Sequence, residues 1–152
     1  MRRREFIGFL GGAAAAWPLA SSDQPNSRGA KVGYLGPSSL ALERPQVDAL
    51  RQRLHELGHV EGKDITYVFR WAEGHDARLP SLAAELVSLK PDVIVTTGTP
   101  GTLAAKRATS SIPIVFASSA NPVTAGLVST YSRPGGNVTG FTILSWKVSA
   151  FN

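Results

Sequence analysis

Apolar and polar positions along the chain switch repeatedly between a two-residue and a 3.6-residue period, beginning at Lys31. Residues 31–35 (KVGYL) form a short apolar run closed by Gly36, Pro37, Ser38 and Ser39, which predicts a first strand. Val47, Leu50, Leu54 and Leu57 recur at helical spacing and predict a helix over 45–57, with Gly58 placed to end it. The β-rich stretch Ile65–Trp71 follows a Gly-containing turn and is the second predicted strand. A second helix is expected over 78–89, stopped by Lys90 and Pro91. Residues 92–97 carry a continuous apolar centre, expected to be buried on both faces as in a parallel sheet. A third helix should open at Gly98, Thr99 and Pro100 and run to about Thr109, and a fourth strand should occupy 112–117. Asn121 as cap and Pro122 at the first position predict a fourth helix over 121–131. A turn over 133–136 then leads to a fifth strand over 137–142. Strict alternation of this kind favours one α/β unit, a three-layer Rossmann-like lobe around a mostly parallel five-stranded sheet with right-handed crossovers.

The first 22 residues follow a different logic. A basic start, about ten apolar residues and then small residues make the three-part layout of an export signal, too short to span a bilayer. Arg3 and Arg4, one spacer, then Phe6 and Ile7 give the arrangement read by the twin-arginine export machinery. Residues 1–22 are therefore expected to be a twin-arginine-type signal peptide. Polar, turn-rich residues 23–30 read as a flexible tether.

Composition narrows the chemistry. The formal charge of +5 falls to +3 once Arg2, Arg3, Arg4 and Glu5 are removed, and the remaining basic residues are scattered, which disfavours nucleic acid as a partner. With no cysteine there is neither disulfide nor thiolate chemistry. His55, His59 and His75 lack metal-ligand spacing, and the acidic residues fall on different elements without an evident pair. No GxGxxG, GxxxxGK[ST] or GxSxG motif is present. The chain is thus expected to need no catalytic residue, metal or cofactor.

In an open parallel sheet, ligands sit beyond the carboxyl ends of the strands. The residues expected there are Ser38 and Ser39 after the first strand, Thr97, Gly98 and Thr99 after the third, and Ser118, Ser119 and Asn121 after the fourth. These loops are small, hydroxyl-rich and uncharged, and each leads to a helix start whose free N–H groups carry partial positive charge. Together they suit a carboxylate or another small polar group; singly, each hydroxyl is more simply explained as a helix cap. Trp71, at the end of the second strand, either lines the mouth of such a site or packs in the core. A site with hydroxyls and helix ends but no nucleophile, base or metal is built to bind rather than react.

Four stretches carry a family resemblance: RRREFIGFLGGAAAAWPLA, LHELGHVEGKDITYVFRWAEG, AAELVSLKPDVIVTTGTP and IPIVFASSANPVTAGLVSTYSRPGGNVTGFT. They resemble the ABC-transporter substrate-binding proteins of the TrpX-like family, and the similarity runs to about Thr142. The resemblance implies a periplasmic binding protein of two Rossmann-like lobes that closes on a small solute and presents it to an ABC permease at the inner membrane. Members include binders of aromatic amino acids. Carried over, the first lobe's ligand loops fall on Ser38 and Ser39, on Gly98 and Thr99, and on Ser118, Ser119 and Asn121. Many relatives have an acidic residue where this chain has Asn121, so a cationic ligand group is not expected to be held in the same way.

After Thr142 the ending ILSWKVSAFN departs from the family pattern. Residues 31–142 are accordingly expected to form the N-terminal solute-binding lobe and 143–152 a divergent tail, with the second lobe absent. Two other readings compete with a solute-binding importer component: a truncated remnant lobe with no transport role, and a doubly wound nucleotide-using enzyme. The loop after the first strand lacks the glycine spacing that the enzyme would need.

Overall fold

The computed structural model describes residues 28–119 and 121–142. The predicted export signal and the tail after Thr142 lie outside the described residues, as does most of the predicted tether. Five strands build one sheet: β1 (Ala30–Gly36), β2 (Ile65–Trp71), β3 (Val93–Thr97), β4 (Ile114–Ala117) and β5 (Val138–Phe141). Three helices join them, α1 (Leu40–Glu56), α2 (Leu79–Ser88) and α3 (Gly98–Ala108), with a 3₁₀ turn, Asp76–Arg78, before α2. The strand order is β2-β1-β3-β4-β5 and every neighbouring pair is parallel. The expected α/β lobe with a parallel five-stranded sheet is therefore the observed one.

Side-chain alternation along the strands assigns the layers. Leu35, Ile94, Ile114, Phe116 and Val138 pack with Leu79, Leu82, Ala83 and Leu86 of α2 and Ala104 and Ala105 of α3 in the main core. Gly33 faces this layer as well, where an added methyl would press on Leu86 at 3.0–3.1 Å. The opposite face carries an aromatic row, Tyr34, Tyr67, Phe69 and Trp71, with neighbouring ring centroids 5.2–6.0 Å apart. Helix α1 covers this face through Val47 and through Arg51, whose guanidinium lies 5.3 Å from the Tyr67 centroid and 5.2 Å from that of Phe69. No described helix is long and apolar enough to cross a membrane.

Four expectations need correction. Helix α1 starts at Leu40, not at Pro45, which lies inside it, and Leu57 becomes an exposed C-cap rather than part of a buried face. Ser39 has the extended backbone of an N-cap, and contacts of Glu43 described below hold the first turn together ahead of the proline. The end matches the expectation: Gly58, at φ 95°, donates to His55 O and His59 donates to Leu54 O, a Schellman closure. Strand β3 is fully buried on one face only, because Ile94 and Thr96 face α2 and α3 while Val93 and Val95 are half-buried.

The predicted fourth helix is not formed; the described residues of 121–131 make turns. The Asn121 carboxamide does accept the Thr124 N–H at 3.1 Å, and Ala125 donates to Asn121 O at 3.0 Å. Gly126, at φ 71°, then reverses the chain after a single turn and turns Leu127 and Val128 into the core. Strand β4 is also shorter than expected, starting after Pro113, whose carbonyl accepts the Ile94 N–H.

Candidate functional site

Because all five strands are parallel, their carboxyl ends share one rim. The chain leaves β1 toward β2 on one side and returns through β3 on the other, so β1 and β3 flank the topological switch point, where α/β sheets hold ligands. Gly36 ends β1 at this point and Thr97 ends β3.

Glu43 occupies the switch point. It is 6% exposed, and its carboxylate accepts the Ser38 N–H at 2.9 Å on Oε1. On Oε2 it accepts the Tyr34 hydroxyl at 2.9 Å and the Thr97 hydroxyl at 2.7 Å. One side chain thus ties β1, the loop after it and the end of β3 together. Tyr34 is 1% exposed; burial, with the adjacent Glu43 charge as a second cause, raises its phenol well above the ordinary tyrosine range and keeps it a donor. A helix expected to begin at Pro45 leaves Glu43 in a loop, so the sequence does not single it out. An acidic residue four positions after Ser39 was the available signal, as the first turn of a helix favours a carboxylate.

Trp71 lies across Gly36. A Cβ on Gly36 would stand 2.4 Å from Trp71 Cζ3 and 2.8 Å from Glu43 Oε1, so only glycine lets the indole and the carboxylate meet there. The indole stacks on Phe69 at 5.7 Å with 7° between planes, tilts against Tyr34 at 5.2 Å, and remains half-buried. The two readings of Trp71 are therefore not exclusive: it packs on the aromatic row and it borders the rim.

The structure brings most of the expected residues together. Ser38 and Thr97 meet through Glu43, and the Thr99 and Ser119 hydroxyls are 3.1 Å apart, joining the start of α3 to the loop after β4. Ser119 is buried, and its carbonyl accepts the Thr142 hydroxyl at 2.5 Å. Gly98 has φ 69° and Ser118 φ 61°, left-handed conformations at two consecutive corners of the rim; the Ser118 N–H donates to Phe141 O. Ser39 and Thr97 are the N-caps of α1 and α3 by position, yet neither side chain makes a capping bond. Asn121 is the exception: its carboxamide oxygen is taken up by the Thr124 N–H and by the Tyr131 hydroxyl at 3.2 Å. Below the rim, the Thr96 and Thr102 hydroxyls pair at 2.7 Å, and Thr102 donates to Gly98 O at 2.7 Å. No cluster of metal-ligating side chains occurs among the described residues.

Comparison with known proteins adds to this geometry. A tyrosine-binding protein of Clostridioides difficile is 34% identical over 125 residues, covering 80% of this chain and 36% of the relative. A conserved domain protein from Vibrio cholerae superposes with a TM-score of 0.74 at 35% identity, over 78% of this chain and 40% of that one. The ABC domain in complex with L-Trp from Streptococcus pneumonia gives 0.70 at 28% identity, over 75% and 38%. The ligand-free, open structure of a substrate binding protein with adhesive properties from Clostridium difficile gives 0.69 at 32%, over 73% and 38%. The chain spans about two fifths of the length of these relatives. Residues 40–146 match the family model described as ABC transporter substrate binding protein. The parallel α/β sheet, the related structures and this match together identify the chain as a member of the ABC transporter substrate-binding protein family.

Proposed function

We propose that residues 31–142 are the N-terminal solute-binding lobe of a periplasmic ABC-importer component. It holds a small solute, an amino acid or small carboxylate, on the rim formed by Ser38, Ser39, Trp71, Thr97, Gly98, Thr99, Ser118, Ser119 and Asn121. The observation that carries this reading is the rim at the β1/β3 switch point, where hydroxyl-rich loops meet the starts of α1 and α3 and neither start is capped by its own side chain. The half-buried Trp71 ring favours an aromatic side chain, in line with the relatives named for tyrosine and crystallised with L-Trp. The second wall of the cleft would come from a second lobe of the kind expected in the longer relatives, and an inner-membrane permease would take up the solute. Export by the twin-arginine machinery, directed by residues 1–22, fits a partner of that permease. The role is binding, without catalysis.

Isothermal titration of the full chain with the twenty amino acids and with small carboxylates tests this. Saturable heat with at least one amino acid is expected, the aromatic ones foremost; its absence across the set refutes the reading.

A further inference from the structure

We propose that Glu43 makes this site select solutes that carry an ammonium group, an inference that rests on the solute-binding reading above. Glu43 is the one charged side chain that is buried among the described residues. Its three hydrogen-bond donors, the Ser38 N–H and the Tyr34 and Thr97 hydroxyls, are all neutral. None of the ion pairs among the described residues includes it. Its negative charge is therefore removed from water without a cation to offset it, the condition under which a buried carboxylate attracts one most strongly.

The hydrogen-bond count shows where a cation fits. A carboxylate offers about four acceptor positions. Oε2 uses two, on Tyr34 and Thr97; Oε1 uses one, on Ser38, and keeps one open. Oε1 stands beside the side-chain-free surface of Gly36, next to the Trp71 ring. The open acceptor thus lies among Ser38, Thr97 and Trp71, the residues proposed to meet the solute. The other rim candidates are uncharged, and the Asn121 carboxamide oxygen is already engaged by Thr124 and Tyr131. A zwitterion satisfies both halves of the rim: its carboxylate meets the N–H groups of the helix starts, and its ammonium reaches Glu43 Oε1.

The test compares each amino acid with its desamino counterpart: L-tyrosine with 3-(4-hydroxyphenyl)propionate and L-tryptophan with 3-(indol-3-yl)propionate, titrated calorimetrically into the full chain at neutral pH. The amino acid should bind more tightly than its partner by on the order of tenfold or more, and Glu43→Gln should bring the ratio toward one. A carboxylate that merely braced the loops would weaken both members of a pair equally. Should Glu43→Gln fail to fold, Glu43→Asp decides: its retracted carboxylate should weaken the amino acid several-fold and spare the desamino acid. Equal affinities within each pair for the wild-type chain, or a ratio that the substitution leaves unchanged, would overturn the assignment and leave solute binding standing. No saturable heat with any of the four compounds, or with the wider amino-acid set, would instead remove the reading on which it rests.

Discussion

Gly36→Ala tests the architecture of the rim most directly. Gly36 does not have a positive φ, so the added methyl strains no backbone and acts through contact alone. It would stand 2.4 Å and 2.5 Å from the Trp71 ring atoms Cζ3 and Cε3 and 2.8 Å from Glu43 Oε1, each closer than a real Cβ contact. The indole is held by Phe69 and Tyr34 and the carboxylate by its three donors, so neither moves freely. Overpacking of this kind costs about 1–3 kcal/mol, and losing one hydrogen bond to the charged carboxylate adds about 1.5–3 kcal/mol. A fall in Tm of about 10–20 °C is expected by calorimetry, with a change in the near-ultraviolet circular dichroism of the displaced indole. Gly101→Ala is the control: inside α3, its methyl would meet nothing nearer than Leu35 O at 3.6 Å, and a gain of about 0.5–1 kcal/mol is expected. If Gly36→Ala melts within a degree or two of the wild-type chain and keeps its aromatic signal, the claim that Trp71 and Glu43 meet across a bare backbone is refuted.

Thr102→Val should lower stability by about 1–3 kcal/mol, because it strands the buried Thr96 hydroxyl and takes the donor from Gly98 O; adding Thr96→Val should recover part of the loss, read from urea midpoints. Tyr34 has its folded-state pKa raised, so its contribution is fully present below the unfolded value of about 10 and is lost as pH climbs above it; Tyr34→Phe should flatten that alkaline limb in denaturation across pH 9–11. Asp64 is shifted the other way, held down first by the Val60 N–H at 2.6 Å and then by His59. Its contribution is present above the unfolded carboxylate range and fades as pH falls through the lower folded value, so Asp64→Asn should remove a stability loss seen below about pH 4.

Local signals carried the fold further than the site. Strand β2 follows from its β-branched and aromatic composition, and α2 from its leucine spacing, because α2 buries Leu79, Leu82, Ala83 and Leu86, the side chains that define its period. The start of α1 was hidden because proline usually marks a helix beginning, whereas here the first turn is held by Glu43 reaching Tyr34 and Thr97, partners 9 and 54 positions away. Such long-range bonds leave no periodic trace. Asn121 and Pro122 carry a helix-start signal and do organise one turn, but Gly126 reverses the chain before a helix can form. The hydroxyl-rich loops were legible since parallel strands place their ends on one rim; the buried carboxylate organising them was not, since an isolated glutamate is usually a solvated one.

The uniformly parallel sheet also governs how the chain acquires its structure. No two neighbouring strands can be joined by a tight hairpin, so every pairing must wait for an intervening segment to be spanned, and the chain between β1 and β3 includes α1, β2 and α2. Refolding is therefore expected in milliseconds to seconds, limited by loop closure rather than by helix formation. Until β4 and β5 dock, the bare edge of β3 offers a template to other chains, and self-association during refolding should rise steeply with protein concentration.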